Sequence, residues 1–161
     1  MGEVVEVLMG EGAEELMGEG AAQRMIDEQL ATIDGREVRL WASRCDHCGT
    51  VTFPQQSSCP RCTRNEAKRH PLAREGTLWS WTIQGFPPKS PPYAGSADDF
   101  QPYGVGYVEL DGEVRVEGIL TTAEPEQLEI GMTMHVVALP VAGREQDGLL
   151  TFGFAPGRVS S

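Results

Sequence analysis

The residues best suited to chemistry are four cysteines arranged in two pairs. Two residues separate Cys45 from Cys48, two separate Cys59 from Cys62, and ten lie between the pairs. Two intervening residues let both sulfurs of a pair reach one ion, and two such knuckles complete a tetrahedron. The chain has four cysteines in all, so no thiol is left over. The spacing therefore predicts a four-thiolate metal site, with structural Zn²⁺ as the expected ion.

Other uses of these thiols fit less well. Disulfides need an oxidising compartment, and the acidic N-terminus has no features of a secretory signal. A redox dithiol is normally a single pair next to a βαβ pattern. Iron also accepts four thiolates, and the sequence does not separate it from zinc. A closed four-thiolate site has no open coordination position, so it holds structure and cannot activate water. His47, His70 and His135 have no nucleophile partner nearby in the sequence.

Composition narrows the class of protein. The chain has 161 residues, 40% hydrophobic and 23% charged, which is typical of a globular protein. No apolar run approaches the roughly 20 residues that span a bilayer, so we expect a cytoplasmic protein with no membrane partner. The net charge is -11, yet residues 35–75 carry eight basic and four acidic side chains. This basic segment suits an anionic ligand or an acidic partner surface, and equally a solvated face with paired charges.

Three regions are expected along the chain. Residues 1–34 are an acidic N-terminal segment in which Ile26, Leu30 and Ile33 recur at helical spacing, predicting an amphipathic helix that ends at Gly35. Residues 35–75 form the zinc ribbon. Residues 76–161 form a barrel. The residues thus predict a mainly β fold with an N-terminal helix, a zinc ribbon and then a five-stranded barrel.

The barrel prediction depends on short apolar runs of β character. Strands are expected over residues 77–83, 103–110, 113–121, 132–141 and 149–154. Asp111-Gly112 suits a type I′ hairpin turn, because both positions tolerate positive φ. Residues 125–131 read as one helical turn or a tight connection. Five strands without a long helix favour a small barrel over a two-sheet sandwich, which usually has more strands.

The connection over residues 84–102 is far too long for a plain hairpin. It has 19 residues, five of them proline, and it carries Phe86, Tyr93 and Phe100. Loops of this length are usually functional or disordered, and prolines lower the entropy lost on ordering. We therefore predict a stiffened binding edge. The alternative is a loop that folds back over its own barrel mouth.

In this order, the segments resemble a family of acyl-CoA-associated proteins that join a zinc ribbon to an OB-fold. The resemblance implies that the ribbon is rubredoxin-like and that the five-stranded barrel is an OB-fold. The resemblance covers roughly residues 22–157, and Thr63 departs from it, since the second knuckle usually continues with glycine. The matching segments are RCDHCGTVTFPQQSSCPRC, EGTLWSWTI, PYGVGYVELDGEVRVEGILT, LEIGMTMHV and LLTFGFAPG.

The resemblance implies a function for the whole chain. It implies a non-catalytic accessory subunit that binds a thiolase-superfamily enzyme, usually as two copies of each chain, and helps acyl-CoA binding or active-site assembly. Such enzymes include retro-aldolases that shorten steroid or other bulky side chains. The CoA thioester is then a ligand of the complex. The surface expected to face the partner or acyl-CoA comprises Arg44, Arg61, Phe86, Pro87, Pro88, Lys89, Tyr93 and Tyr103.

Two other functions compete with this one. OB-folds also bind single-stranded nucleic acid by stacking bases on aromatic side chains in a positive groove. Trp79, Trp81, Tyr103 and Tyr107 supply aromatic rings, but few positive charges accompany them in the barrel, and the net charge argues against a nucleic-acid partner. The third function is stand-alone acyl-CoA binding with a transport role.

Overall fold

A computed structural model describes residues 22–90, 93–110, 112 and 114–159. Within these ranges the chain is mainly β, and no helix there is long and apolar enough to cross a bilayer. Two short 3₁₀ turns cover Pro125–Gln127 and Glu145–Asp147. The strands are β1 Arg24–Met25, β2 Ala31–Asp34, β3 Glu37–Cys45, β4 Val51–Thr52, β5 Ala67–Pro71, β6 Glu75–Gln84, β7 Tyr103–Leu110, β8 Val114–Leu120, β9 Thr133–Pro140 and β10 Leu149–Pro156.

The last five strands close into a barrel. They follow the order β6, β7, β8, β10, β9, and β9 returns to pair with β6. β8 and β10 run parallel, while every other contact in the ring is antiparallel. This is the Greek-key arrangement of an OB-fold. The predicted mainly β fold and five-stranded barrel are confirmed, and the expected turn after residue 125 is the first 3₁₀ turn.

One hydrophobic core runs from the barrel into the cysteine-bearing segment. Inside the barrel, Leu78, Met134 and Phe154 are fully buried, and the same core includes Leu40 of β3 and Leu72, which directly follows β5. The rings of Phe53 and Phe152 meet edge to face with centroids 5.8 Å apart. Burial of this apolar surface stabilises the contact between the barrel and the cysteine-bearing segment by roughly 25 cal/mol for each Å² removed from water.

The helix expected before residue 35 is wrong wherever the structure describes that segment. β1 instead pairs in parallel with the barrel strand β10, and Ile26 N donates to Leu150 O at 2.7 Å. A turn follows in which the Asp27 carboxylate accepts from Gln29 N at 2.9 Å. β2 then begins at Ala31. The part of the expected helix at residue 21, and the rest of the acidic segment before it, lie outside the described residues.

The residue expected to end that helix is instead part of a hairpin turn. Gly35 has φ +61 and lies between Asp34 and Glu37, which pair across β2 and β3. A glycine at the first central position of a two-residue hairpin is typical of a type II′ turn. Across the hairpin, Trp41 Nε1 donates to Thr32 Oγ1 at 2.9 Å. A left-handed glycine is common both at helix C-termini and in hairpin turns. The pairing of β2 with β3 makes Gly35 part of a hairpin here.

A β-bulge separates the two tryptophans of β6. The register with β7 shifts between Leu78 and Ser80, so Trp79 is an extra residue on its strand. Trp79 remains 48% exposed, whereas Trp81 packs against the core. Simple alternation places both rings on the same face. The bulge reverses the phase after Trp79 and turns the second ring inward.

The next hairpin also differs in detail from the expected turn. Leu110 pairs with Val114, so three residues connect β7 to β8 rather than two. Gly112 has φ +65. A three-residue connection with a left-handed glycine is a common hairpin form.

Candidate metal centre and the surfaces around it

The first knuckle begins where β3 ends. Cys45 N donates to Thr50 O at 3.0 Å, and Gly49 N donates back to Cys45 O at 2.9 Å. Gly49 has φ +74, which reverses the chain directly after Cys48. The tight turn brings both sulfurs to the same side of the ribbon.

The second knuckle repeats this geometry. Cys59 N donates to Arg64 O at 2.8 Å, and Thr63 N donates to Cys59 O at 2.9 Å. Thr63 takes the left-handed conformation with φ +63, although it is β-branched. The knuckles are thus related by similar local backbone structure, each presenting two thiols toward the other.

The four sulfur atoms fit one tetrahedral ion. The Sγ atoms of Cys45, Cys48, Cys59 and Cys62 all lie within 4.8 Å of one another. The Cys45–Cys62 and Cys48–Cys59 sulfur distances are 3.6 and 3.5 Å. Zinc bonds of roughly 2.3 Å in a tetrahedron place the sulfurs about 3.8 Å apart. The predicted cysteine cluster is confirmed, and Zn²⁺ bound there supplies a structural cross-link with no open position.

Hydrogen bonds, burial and the neighbouring sulfurs shift the pKa values of the thiols in opposite directions. The side chain and the backbone of Thr50 lower the pKa of Cys48 to about 6. A hydrogen bond from the Cys62 backbone lowers the pKa of Cys59. The Arg64 backbone also lowers the pKa of Cys62, but burial and the neighbouring sulfurs outweigh it and raise the value to about 12. Four thiolates this close repel one another, and a divalent cation relieves that repulsion.

A buried serine fixes the arm between the knuckles. Ser43 is 2% exposed, and its Oγ donates to Gln56 O at 2.8 Å while accepting from Gln56 N at 2.7 Å. On the other edge of β3, β5 pairs with residues from Trp41 to Cys45, and Arg69 lies 3.8 Å above the Trp41 ring. These contacts attach the metal-binding segment to the strand that enters the core.

Several basic side chains of residues 35–75 pair with carboxylates of the same segment. These ion pairs involve partly or well exposed side chains. Arg44 and Arg61, the two arginines predicted to face a ligand or partner, are both exposed. The pairs include Arg39–Glu37, Arg74–Glu37, Arg64–Glu66 and Lys68–Asp46.

The predicted surface of the long loop divides into outward and inward parts. Phe86 is 69% exposed, and Lys89 is also exposed. Pro87 and Pro88 are half-buried. The remaining two predicted residues, Tyr93 and Tyr103, are half-buried, and each makes an edge contact with Phe100 at a centroid distance of 6.1 Å. Of the eight predicted surface residues, four are thus exposed and four are half-buried; the exposed ones are Arg44, Arg61, Phe86 and Lys89.

Two aromatic side chains, Trp79 and Tyr107, contact each other on the outside of β6 and β7. The sequence showed the two rings but not that they meet. Trp79 and Tyr107 meet edge to face at 6.4 Å, and Arg115 covers the Trp79 ring at 3.9 Å. Tyr107 Oη donates to Glu117 Oε2 at 2.6 Å. The ring face that nucleic-acid stacking would use is thus occupied by an arginine, with a carboxylate beside it.

A zinc-ribbon scaffold joined to an OB-fold is the class of protein that this fold and site define. The family model of the ChsH2 rubredoxin-like zinc ribbon domain matches residues 34–68, and that of the ChsH2 C-terminal OB-fold domain matches residues 69–139. A DUF35 domain-containing scaffold protein of Methanocaldococcus jannaschii is 30% identical over 115 residues, which cover 69% of this chain and 75% of that protein. The chain belongs to this family of ChsH2-type DUF35 proteins.

Two further relatives are known by their complexes. The benzoylsuccinyl-CoA thiolase subunit BbsA of Thauera aromatica is 36% identical over 86 residues, which cover 53% of this chain and 54% of that subunit. A chain of the solved Ltp2-ChsH2(DUF35) aldolase superposes with a TM-score of 0.55 and 27% identity, covering 73% of this chain and 84% of that one. Association with a thiolase- or aldolase-type enzyme is thus a property of similar proteins.

Proposed function

We propose that this chain is a non-catalytic accessory subunit of a thiolase-superfamily enzyme that acts on acyl-CoA thioesters in the cytoplasm. The observation that carries the proposal is its similarity to a thiolase subunit and to the DUF35 chain of an aldolase. The aldolase relative supports an aldolase as the partner. That this partner is a retro-aldolase of steroid or other bulky side chains is proposed from the family resemblance described above. Two copies of each chain are the expected assembly.

The chemistry of the described residues agrees with a supporting role. Among the described residues, the four clustered cysteines are the group that could hold a metal ion. An ion bound by four thiolates has no coordination position left for a substrate. Exposed arginines such as Arg44 and Arg61 suit the phosphates of CoA or an acidic partner surface. The exposed Phe86 suits an apolar pocket on the partner.

The nucleic-acid alternative has weaker support. The ring face of Trp79 is covered by Arg115, and Trp81 packs on the core. Two carboxylates lie beside the exposed aromatic pair of Trp79 and Tyr107. Glu109 forms an ion pair with Arg115, and Glu117 accepts a hydrogen bond from Tyr107. Carboxylates at a stacking platform repel a phosphate backbone.

Co-expression with a candidate thiolase-superfamily enzyme from the same organism tests the proposal. The two proteins should co-elute, and light scattering should give the mass of two copies of each. The complex should turn over an acyl-CoA, whereas this chain alone should not. Turnover by the isolated chain, or a partner fully active and stable without it, would contradict the accessory role.

A matched pair of variants locates the contact. Phe86→Ala should weaken the complex about tenfold or more, because a large exposed ring can act as an interface anchor. Ile130→Ala removes a side chain that is equally accessible, at 65% exposed, but lies outside the predicted surface. It should leave affinity unchanged. Equal effects of the two substitutions would remove the loop from the interface.

A further inference from the structure

A large chamber lies outside the barrel wall, under the long loop. Its volume is about 970 Å³. Its floor is formed by β7, β8, β9 and β10, and its roof by residues of the β6–β7 and β9–β10 connections. In OB-folds, the face of the second and third strands and these two connections form the usual ligand-binding surface. The chamber therefore occupies the position where other OB-folds bind their ligands.

The roof is held in place by specific contacts. The ring of Phe100 joins Tyr93 in the loop to Tyr103 at the start of β7, through two edge contacts with centroids 6.1 Å apart. The loop also meets the β9–β10 connection, where Ala94 N donates to Ala142 O at 3.1 Å. Gly143 has no room for a side chain, since a Cβ would come within 2.5 Å of the Ala94 backbone. Two connections that are distant in sequence thus close over the same space.

The floor is apolar where the outside of a barrel is commonly polar. Val105 and Ile119 pair across β7 and β8, and both point outward because their neighbours Gly104 and Leu120 are buried inside. Leu139 extends over Gly153 on the neighbouring strand. An antiparallel sheet with a wet outer face carries polar residues at such positions. Here aliphatic side chains cover the floor and are half-buried by the loop.

The charges around the chamber all have one sign. Asp99, Glu117 and Glu145 line it, and no Lys, Arg or His is among the described residues that do. Each carboxylate has a hydrogen-bond donor: Ser96 Oγ for Asp99 at 2.8 Å, Tyr107 Oη for Glu117 at 2.6 Å and Gly143 N for Glu145 at 2.9 Å. The field inside the chamber is therefore unfavourable for anions.

We propose that this chamber is a binding site for an uncharged, apolar small molecule and that it excludes anionic ligands. The volume is at the upper end of the range of roughly 300–1,000 Å³ found for small-molecule sites, so a bulky ring system or a branched hydrocarbon fits. The negatively charged phosphates of a nucleotide or a nucleic acid would be repelled by the three carboxylates that line the chamber. The chamber is formed by residues of this chain, so the inference goes beyond the accessory role and its test needs no partner enzyme.

Fluorescence titration of the zinc-loaded full chain with Nile red, an uncharged apolar dye, tests the proposal. Anilinonaphthalene sulfonate, an apolar dye of similar size with a negative charge, is the matched probe. Nile red should bind saturably at one site per chain, and the anionic dye about tenfold or more weakly because of the three carboxylates. Absent or non-saturable binding of Nile red overturns the site, and equal affinity for the two dyes overturns the charge selection.

Filling variants locate the bound dye. Val105→Trp and Leu139→Trp each place an indole in the chamber and should weaken Nile red binding about tenfold or more. Ile130→Trp adds the same group on an exposed residue outside the chamber and should have no effect. Methyl NMR of the unmodified chain gives a second readout, in which Val105, Ile119 and Leu139 should shift and Ile130 should not. A dye that shifts Ile130 equally, or ignores both filling variants, overturns the assignment.

Discussion

Gly49 and Thr63 occupy the same position in the two cysteine knuckles, each directly after the second cysteine of its pair, and both are left-handed. Their φ angles are +74 and +63. In each knuckle, the amide of this residue donates to the carbonyl of the first cysteine at 2.9 Å. Glycine adopts this conformation freely, whereas a β-branched residue does so at a cost. The second knuckle therefore carries local backbone strain that the first does not.

Replacing Thr63 by glycine should stabilise the protein. The left-handed conformation costs a non-glycine residue roughly 1–2 kcal/mol, and the added freedom of glycine in the unfolded chain returns part of the gain. Thr63→Gly should therefore raise the free energy of unfolding by about 0.5–1 kcal/mol, measured by urea denaturation with zinc present. Gly49→Ala is the matched opposite. Its Cβ would meet nothing within 4 Å, so the expected loss of about 1 kcal/mol comes from φ alone. A destabilised Thr63→Gly protein would contradict the argument.

Removing a metal ligand should unfold the ribbon. Structural zinc contributes roughly 10–16 kcal/mol of apparent binding free energy, and a segment this short has few other contacts to replace it. Cys59→Ser should lose the bound zinc, lower the melting temperature and speed hydrogen exchange across residues 45–66. Metal analysis and exchange mass spectrometry measure these effects.

The control for the metal experiment is His47→Ala. His47 lies inside the first knuckle, is exposed, and is not among the four clustered ligands. The variant should keep one zinc per chain and its melting temperature. Loss of zinc in His47→Ala would mean that His47 is also a metal ligand. A Cys59→Ser protein with unchanged stability would mean that the fold does not depend on the metal.

Adding one methyl group to the barrel interior should be costly. A Cβ on Gly118 would lie 2.7 and 2.8 Å from ring atoms of Phe154, which is fully buried and cannot move away. Overpacking of this kind costs roughly 1–3 kcal/mol, so Gly118→Ala should lower the urea midpoint accordingly. Gly85→Ala is the comparison, because a Cβ there meets open space and the residue does not have positive φ. That substitution should change stability by less than about 0.5 kcal/mol.

Tyr107 should ionise at higher pH than an ordinary tyrosine. Its hydroxyl donates to Glu117, and this hydrogen bond, followed by the negative charge of the carboxylate, raises the pKa of Tyr107. The folded state then prefers the protonated ring. The stabilisation is present below the ordinary pKa of about 10 and is lost as the pH rises through the raised value.

NMR of ring-labelled tyrosine across alkaline pH measures this shift. In Glu117→Gln the pKa of Tyr107 should fall back toward the ordinary value, because the acceptor has lost its charge. Glu109→Gln removes a nearby carboxylate that pairs with Arg115 and should leave the Tyr107 titration much closer to that of the unmodified protein. A Tyr107 pKa that is the same with and without the Glu117 charge would contradict the hydrogen-bond explanation.

The metal cluster and the barrel strands were predictable because their signals are local. Two residues between cysteines already fix how two sulfurs approach one ion, and period-two alternation between turn residues defines strands wherever they lie. The resemblance marked Thr63 as a departure from the usual glycine, but the left-handed conformation of Gly49 and Thr63 is known only from the structure.

Only the tertiary structure decided how residues 22–34 fold and how the aromatic side chains are used. Ile26, Leu30 and Ile33 suit a helix in isolation, yet hydrogen bonds from β10 and β3 stabilise two strands there. Such partners are distant in sequence and leave no local pattern. The bulge that turns Trp81 inward, and the loop that covers Val105 and Ile119, likewise depend on neighbouring strands. Spacing along the chain therefore determined the metal site, whereas packing between distant segments created the chamber.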